Sequence, residues 1–272
     1  MATVLLTGTT GLVGSRLLPR LVAAGFDTRA LVRRDVELPP GATAVRGDLD
    51  DPASLREAVT GIDAVVHLAA LFRTDDEAAI WRANLDGTRN LIEAVKTHAP
   101  QARFTMASTS NVYNGDTARP GREDDPVAPT DAYPASKVAA EALLRESGLT
   151  WAILRLPFVY GEGDGHIDAI PLLAGRFGLH PAHTYSVAHH RDIAVAFELA
   201  LSGALDGRIV NITDDAPVTV YELSQYAGDP LPESAEPLAH PWAGRMDGSL
   251  ARELGFAPTV PTVHAAAREG IL

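Results

Sequence analysis

Near its start the chain reads Val4-Leu5-Leu6-Thr7-Gly8-Thr9-Thr10-Gly11-Leu12-Val13-Gly14. An apolar, strand-like run meets three glycines spaced G-x-x-G-x-x-G, and a helical pattern opens from Gly11 and runs for about ten residues. Glycines at these points let a backbone turn sharply and approach a pyrophosphate closely. The helix N-terminus behind them offers unpaired N–H groups and a positive dipole end. Gly8, Thr10, Gly11, Leu12, Val13 and Gly14 are the candidate phosphate-turn residues. An ordinary strand–helix turn has the same outline, so the weight comes from its place at the first such junction of an α/β chain.

Moving outward, short apolar runs alternate with helical patterns, the signature of a parallel sheet wrapped by helices. Strands are predicted at residues 28–32, 44–46, 64–68, 104–107 and 151–154. Helices are predicted from Pro52 to Val59, from Asn84 to Lys96 and from Tyr133 to Glu146. The order implies a doubly wound α/β fold, a Rossmann sheet with a small C-terminal substrate lobe. After Gly161 the pattern loosens into Gly-, His- and Pro-rich stretches, broken by a helix at 192–201 and a strand at 208–211. The expected division is a dinucleotide-binding domain over 1–160, with 185–212 returning to it, and a lobe made of 161–184 and 213–272.

The second strand ends Leu31-Val32-Arg33-Arg34. Folds specific for NAD usually place an acid there for the ribose 2′-hydroxyl. Arg33 and Arg34 instead suit a 2′-phosphate, which guanidinium groups clamp with paired hydrogen bonds. The alternatives are that one or both are solvated, or that one stacks on adenine. NADP is therefore expected over NAD. Asp48, in Arg46-Gly47-Asp48-Leu49, is placed to accept from the adenine amino group, while a cap ahead of Pro52 belongs more naturally to Asp50 or Asp51.

On a helix, Tyr133 and Lys137 stand one turn apart on a common face. A phenol titrates near pH ~10 and is a poor base at neutral pH. A neighbouring ammonium favours the phenolate and is expected to bring Tyr133 toward useful acid–base range. The bland alternative is a surface pair.

With these residues in view, the chain resembles the extended branch of the short-chain dehydrogenase/reductase superfamily. The match is strong over 1–161 and weaker over 185–212. It is carried by the glycine turn, Asp48-Leu49, Asp63 to Ala70, Asn84-Leu85-Asp86-Gly87-Thr88, Ser108 to Tyr113, Tyr133-Pro134-Ala135-Ser136-Lys137 with Glu141, and Leu154 to Gly161. The resemblance implies hydride transfer to or from a nicotinamide, with Tyr133 as acid–base and Lys137 also holding the nicotinamide ribose. It implies Thr109 as the third, hydroxyl-bearing member, with Ser108 or Ser110 in its place if the register differs by one. Asn84 matches an asparagine that braces the lysine helix, and a helix N-cap before Leu85 is a compatible role. Leu49, Leu68, Ala69, Ala70, Pro157, Phe158 and Val159 match further cofactor contacts. Helices over 86–98 and 133–146 resemble a pair that builds a homodimer, Ala139, Ala140, Leu143 and Leu144 giving the second an apolar face, and the alternative is that these four are plain core.

The chain departs from the sugar-nucleotide members of that branch, which often carry Asn at Phe158 and Arg near Tyr185. Arg176 and Arg191 are possible replacements for the missing arginine. Phe158, Leu71 and Phe72 offer apolar walls, and Ser110 and His166 are further candidate substrate contacts. A small carbonyl or alcohol is favoured over a nucleotide sugar. The alternatives are an epimerase or dehydratase that retains its NAD(P), or a non-catalytic dinucleotide sensor. The five histidines His166, His180, His183, His189 and His190 are read without a metal, and Asp124-Asp125 as solvated.

Composition narrows the rest. The 272 residues hold no cysteine, which excludes a thiol nucleophile and thiolate metal sites and suits a reducing cytoplasm. A formal charge of −12 without a basic cluster argues against nucleic acid. The opening residues read as a strand rather than a signal peptide, and no apolar run has the ~18 residues a membrane helix needs.

Overall fold

The computed structural model describes residues 1–272. Strands β1 (Thr3–Thr7), β2 (Asp27–Val32), β3 (Ala42–Arg46), β4 (Ala64–His67), β5 (Arg103–Thr109) and β6 (Trp151–Leu156) fall where the apolar runs predict them. Short strands β7 (Phe158–Tyr160), β8 (Thr184–Tyr185) and β9 (Val187–His189) follow, then β10 (Arg208–Asn211) and β11 (Val218–Thr219). Seven strands form one sheet in the order β10-β6-β5-β4-β1-β2-β3, and every pairing in it is parallel. This is the doubly wound Rossmann arrangement that the sequence implies.

The helices in chain order are α1 (Gly14–Ala23), α2 (Leu55–Val59), α3 (Glu77–Trp81), α4 (Gly87–His98) and α5 (Ala132–Arg145). They continue as α6 (Ile170–Phe177), α7 (His190–Leu201), α8 (Val220–Tyr226), α9 (Ser249–Glu253) and α10 (Val263–Glu269). Leu17, Leu18 and Leu21 of α1 and Ile193 and Phe197 of α7 pack on one sheet face. Leu55, Leu91, Val95 and Leu144, from α2, α4 and α5, cover the other. A third core under the smaller lobe gathers Tyr160, Ile170, Leu223 and Val263. Ala251 and Phe256, within 213–272, pack in the core of the main sheet instead.

Three local expectations need correction. Helix α1 starts at Gly14 because the Gly11 amide donates to the Gly8 carbonyl at 3.0 Å, which keeps Gly11 in the turn. The helix expected to begin at Asn84 begins at Glu77, and Asp76 caps it by accepting from the Ala79 amide at 2.9 Å. Asn84 is no N-cap: it lies inside a π-helical turn, Arg82–Asp86, that joins α3 to α4. Asp125 is not simply solvated, since it takes both guanidinium nitrogens of Arg119 at 2.6 and 2.9 Å.

Glu141 of α5 accepts from Arg155 of β6 through both oxygens, at 3.1 and 2.8 Å, and both side chains are buried. Arg155 also donates to the Tyr113 hydroxyl at 2.9 Å, which donates in turn to Asn211 at 2.6 Å. Burial pushes the Tyr113 phenol up to about 12 although Arg155 pulls against it. Removing one partner of such a pair strands the other charge, at a cost of about 3–5 kcal/mol. Glu141→Leu and Arg155→Met should each lower the urea-unfolding free energy by about that amount. The double variant should lose less than either alone, and additive losses would show that the pair is not coupled.

Candidate active site

The order of strands reverses direction beside β1, which lies between β2 and β4. Ligands of open α/β sheets sit in the crevice beyond the carboxyl ends of the strands at such a point. Thr7 closes β1 there, and His67 closes β4. Gly8 has φ +71°, and a Cβ on it would come within 2.7 Å of the Ala69 amide. A Cβ on Gly14 would overlap the Gly8 carbonyl. Both positions demand glycine, so the turn carries bare backbone into the crevice.

At the far ends of β2 and β3 a cavity of about 180 Å³ is lined by Arg33, Arg46, Gly47, Asp48, Asp51 and Ser54. Arg33 lines it, and Arg34 does not. Parallel pairing sets Arg46 opposite Val32, so the second arginine comes from β3. Sequence reading passed over Arg46 because only the register of β2 on β3 brings it beside Arg33. Asp51 caps the turn at Pro52 by accepting from the Ala53 amide at 3.2 Å. The crevice and this cavity suit the phosphate turn and the adenosine end of a dinucleotide.

From β1 across β4 to the π turn runs a directed chain of buried hydrogen bonds. The Ala69 amide donates to the Thr7 hydroxyl at 3.2 Å, and Thr7 meets His67 Nδ1 at 2.7 Å. His67 Nε2 meets Thr88 at 2.9 Å, and the Thr88 hydroxyl donates to the Asn84 carbonyl at 2.6 Å. Because Thr88 uses its proton on Asn84, His67 must donate through Nε2 and accept at Nδ1. That neutral tautomer agrees with burial, which with the nearby Lys137 charge depresses the imidazole to about 3. Thr7, His67 and Thr88 lay inside quoted motifs but had no role assigned from sequence.

Asn84 closes the constellation. Its Oδ1 accepts from the Leu71 amide at 2.7 Å, and its Nδ2 donates to the Leu71 carbonyl at 3.1 Å and to Ser136 Oγ at 3.0 Å. Ser136 donates to the Tyr133 carbonyl at 2.7 Å. Loop 68–73, the π turn and α5 are thus held by one amide side chain. Helices widen into π turns rarely and frequently at functional sites, and this one has Asn84 fully buried among those partners.

Tyr133 and Lys137 share the inner face of α5. The Tyr133 ring packs on Phe72 with centroids 4.5 Å apart. Thr109 ends β5, accepts from the Asn111 amide at 3.2 Å and faces the phenol, while Ser110 begins the turn beyond it. Across the crevice Phe158 stacks on Tyr185, centroids 5.8 Å apart, and on His166 at 5.4 Å. Of the proposed replacement cations, Arg191 pairs with Glu162 and Arg176 lies over Phe177. His180 contacts the Glu236 carbonyl, His189 the Ile271 carbonyl and His190 the Asp164 carboxylate.

The model of the NAD dependent epimerase/dehydratase family matches residues 4–213. The chain belongs to that family. It is an NAD(P)-dependent oxidoreductase of the extended short-chain dehydrogenase/reductase type, as its motifs imply. It is 28% identical over 239 residues to the decarboxylating sterol-4-alpha-carboxylate 3-dehydrogenase of Dictyostelium discoideum, covering 80% of this chain and 73% of that one. It is 30% identical over 227 residues to a farnesyl-dihydroquinoline-oxide ketoreductase of Stigmatella aurantiaca, covering 78% and 68%. The Thermus thermophilus UDP-glucose 4-epimerase in complex with NAD superposes with a TM-score of 0.76 at 26% identity, covering 96% and 95%. No helix of this family member is long and apolar enough to cross a membrane.

The electrostatics of α5 differ from the expectation for an isolated Tyr–Lys pair. Burial pushes the Tyr133 phenol above its usual range, and only the Thr109 hydroxyl pulls it back. Lys137, 2% exposed, drops from 10.5 to about 8, burial outweighing the support of Glu141. Both shifts follow from one cause, the penalty on a charged form out of water. A lysine whose folded pKa lies below its unfolded value binds fewer protons folded than unfolded between the two. Stability should therefore rise as pH goes from about 8 to about 10. Lys137→Met should abolish that rise and should be the more stable protein at pH ~7, measured by urea unfolding across the range. An identical pH slope in both proteins would reject the buried-ammonium account.

Proposed function

We propose that the chain is an NADP(H)-dependent oxidoreductase that reduces a carbonyl, or oxidises an alcohol, of a small non-nucleotide substrate. One observation carries the reading: Tyr133 and Lys137 lie on the inner face of α5, with Thr109 at the phenol and Asn84 fixing the helix through Ser136. A bound dinucleotide supplies or accepts the hydride. In the reducing direction Tyr133 gives its hydroxyl proton to the substrate oxygen as the carbon gains the hydride. Thr109 orients that oxygen. Lys137, still protonated at neutral pH, stabilises the phenolate left behind. Oxidation runs the same transfers backwards.

Two features support the small-substrate reading. The wall opposite Tyr133 is aromatic, formed by Phe158, Tyr185 and His166, which favours an apolar body over a sugar. Arg191 and Arg176 are engaged elsewhere. The epimerase likeness favours a second reading, in which the protein retains its dinucleotide and returns the hydride within one turnover. Net consumption of added NADPH separates the two. The sensor reading has the least support, because Tyr133 and Lys137 are both present. The paired arginines Arg33 and Arg46 support NADP over NAD. We place the protein in the cytoplasm as a homodimer joined through α4 and α5; of the four residues expected on the α5 face, Ala140 and Leu144 are buried in the core of this chain, which leaves Ala139 and Leu143, with Val138 and Ala142 beside them, for a partner.

Tyr133→Phe should lower kcat for a carbonyl substrate by about 10²–10⁴-fold while NADPH still binds, in steady-state kinetics alongside fluorescence titration. Undiminished turnover would end the acid–base assignment. Arg33→Ala and Arg46→Ala should each weaken NADPH binding about tenfold and leave NADH nearly unchanged. An unchanged ratio of the two dissociation constants would remove the case for NADP.

A further inference from the structure

Arg73 follows the two residues, Leu71 and Phe72, that wall the crevice. It is one of two non-glycine residues with positive φ, at +64°, the other being Glu162. That conformation is strained for a side-chain-bearing residue and persists where surrounding contacts enforce it, often at ligand clamps. The enforcing contact crosses the mouth of the crevice: Arg73 Nη2 donates to His166 Nε2 at 2.8 Å. His166 Nδ1 lies 2.8 Å from the Val159 carbonyl. A carbonyl oxygen only accepts and a guanidinium only donates, so His166 is the neutral tautomer with its proton on Nδ1.

Arg73 is one of the arginines without a carboxylate partner, and of these it is the one bonded to a candidate substrate-contact residue, His166. Arg20, Arg103, Arg119, Arg155 and Arg252 each rest on a carboxylate. Arg73, exposed to solvent, rests on a neutral imidazole and has no carboxylate partner. Its guanidinium carbon lies 5.5 Å from the centroid of Phe72, the ring that packs on Tyr133. One N–H of the guanidinium is engaged by His166, and the other donors have no protein acceptor. The charged fork therefore stands one ring away from the catalytic phenol, beside Phe72 and His166.

We infer that Arg73, held by His166, is the specificity residue for a carboxylate on the substrate, so that the preferred substrate joins an apolar body to an acid group. A planar carboxylate matches the free edge of the fork with two parallel N–H···O bonds, and its charge pairs with a cation that has no carboxylate partner. The inference rests on the proposed catalytic reading for the location of the reacting carbon, and on its own geometry for the anion.

The test compares 3-phenylpropanoate with 3-phenylpropanamide, an acid and its neutral isostere, by calorimetric titration of the protein saturated with NADPH. Wild type should bind the acid about tenfold more tightly than the amide. Arg73→Gly, which suits the positive φ and removes the fork, should bind the two equally. Arg73→Lys, a point charge without the fork, should fall between, and unchanged melting temperatures will show that both variants fold. Equal binding of the probes to wild type, a preference that survives Arg73→Gly, or no binding of the acid overturns the inference. Calorimetry reads binding alone, so the two readings fail separately. An acid preference in a protein that reduces no carbonyl compound would reject the reductase and keep the anion site. Turnover without the preference would do the reverse.

Discussion

The Asn84 carboxamide is the constraint on which the crevice depends. Its oxygen and nitrogen close a ring with both backbone groups of Leu71, and its second N–H reaches Ser136 beneath Tyr133. Each bond contributes only about 1 kcal/mol, but together they tie the turn that carries Asn84 to two other segments. The loop after β4, the π turn and α5 cannot move independently while that side chain is satisfied. The cost of leaving a buried amide unpaired, about 1–3 kcal/mol per group, makes the arrangement close to all-or-none.

Beneath this brace the protein places charge where water does not reach. Lys137 and Tyr133 are both disfavoured in their ionised forms by burial, and His67 is held neutral between two threonines. The pair is thus poised in opposite senses: the lysine gives up its proton more readily than usual, the phenol less readily. A phenolate formed on this half-buried face shares it with a buried ammonium, and attraction between opposite charges is stronger there than at an open surface. Glu141 supports the ammonium from one turn further along but gives both oxygens to Arg155, and so serves the packing of α5 on β6 as well.

The two lobes meet the crevice with different chemistry. The sheet side supplies backbone, hydroxyls and the buried polar chain. The lobe side supplies rings, Phe158, Tyr185 and His166. Arg73 and Glu162, the two residues held in left-handed backbone, each carry a polar link between the halves, to His166 and to the arginines of α1 respectively. Strain at both positions is offset by bonds that exist only when the lobes are together.

Much of this was legible in the amino-acid order, because it rests on local rules. The period-2 and period-3.6 patterns located the six main strands and the return of β10, and i,i+4 spacing put Tyr133 and Lys137 on one face. The glycine turn was recognisable because Gly8 and Gly14 fill positions no other residue could occupy. What tertiary structure decided involves pairs far apart in the chain. Arg46 joins Arg33 only through the register of β3 on β2. Asn84 is a brace rather than a cap because residues 77–83 extend the helix behind it and Leu71 and Ser136 come to meet it. The direction of the Tyr133 shift was also beyond sequence, since spacing reports that an ammonium is near but not how much water has been removed from both groups. Local geometry is written in neighbouring residues; desolvation and long-range contact exist only once the chain has closed on itself.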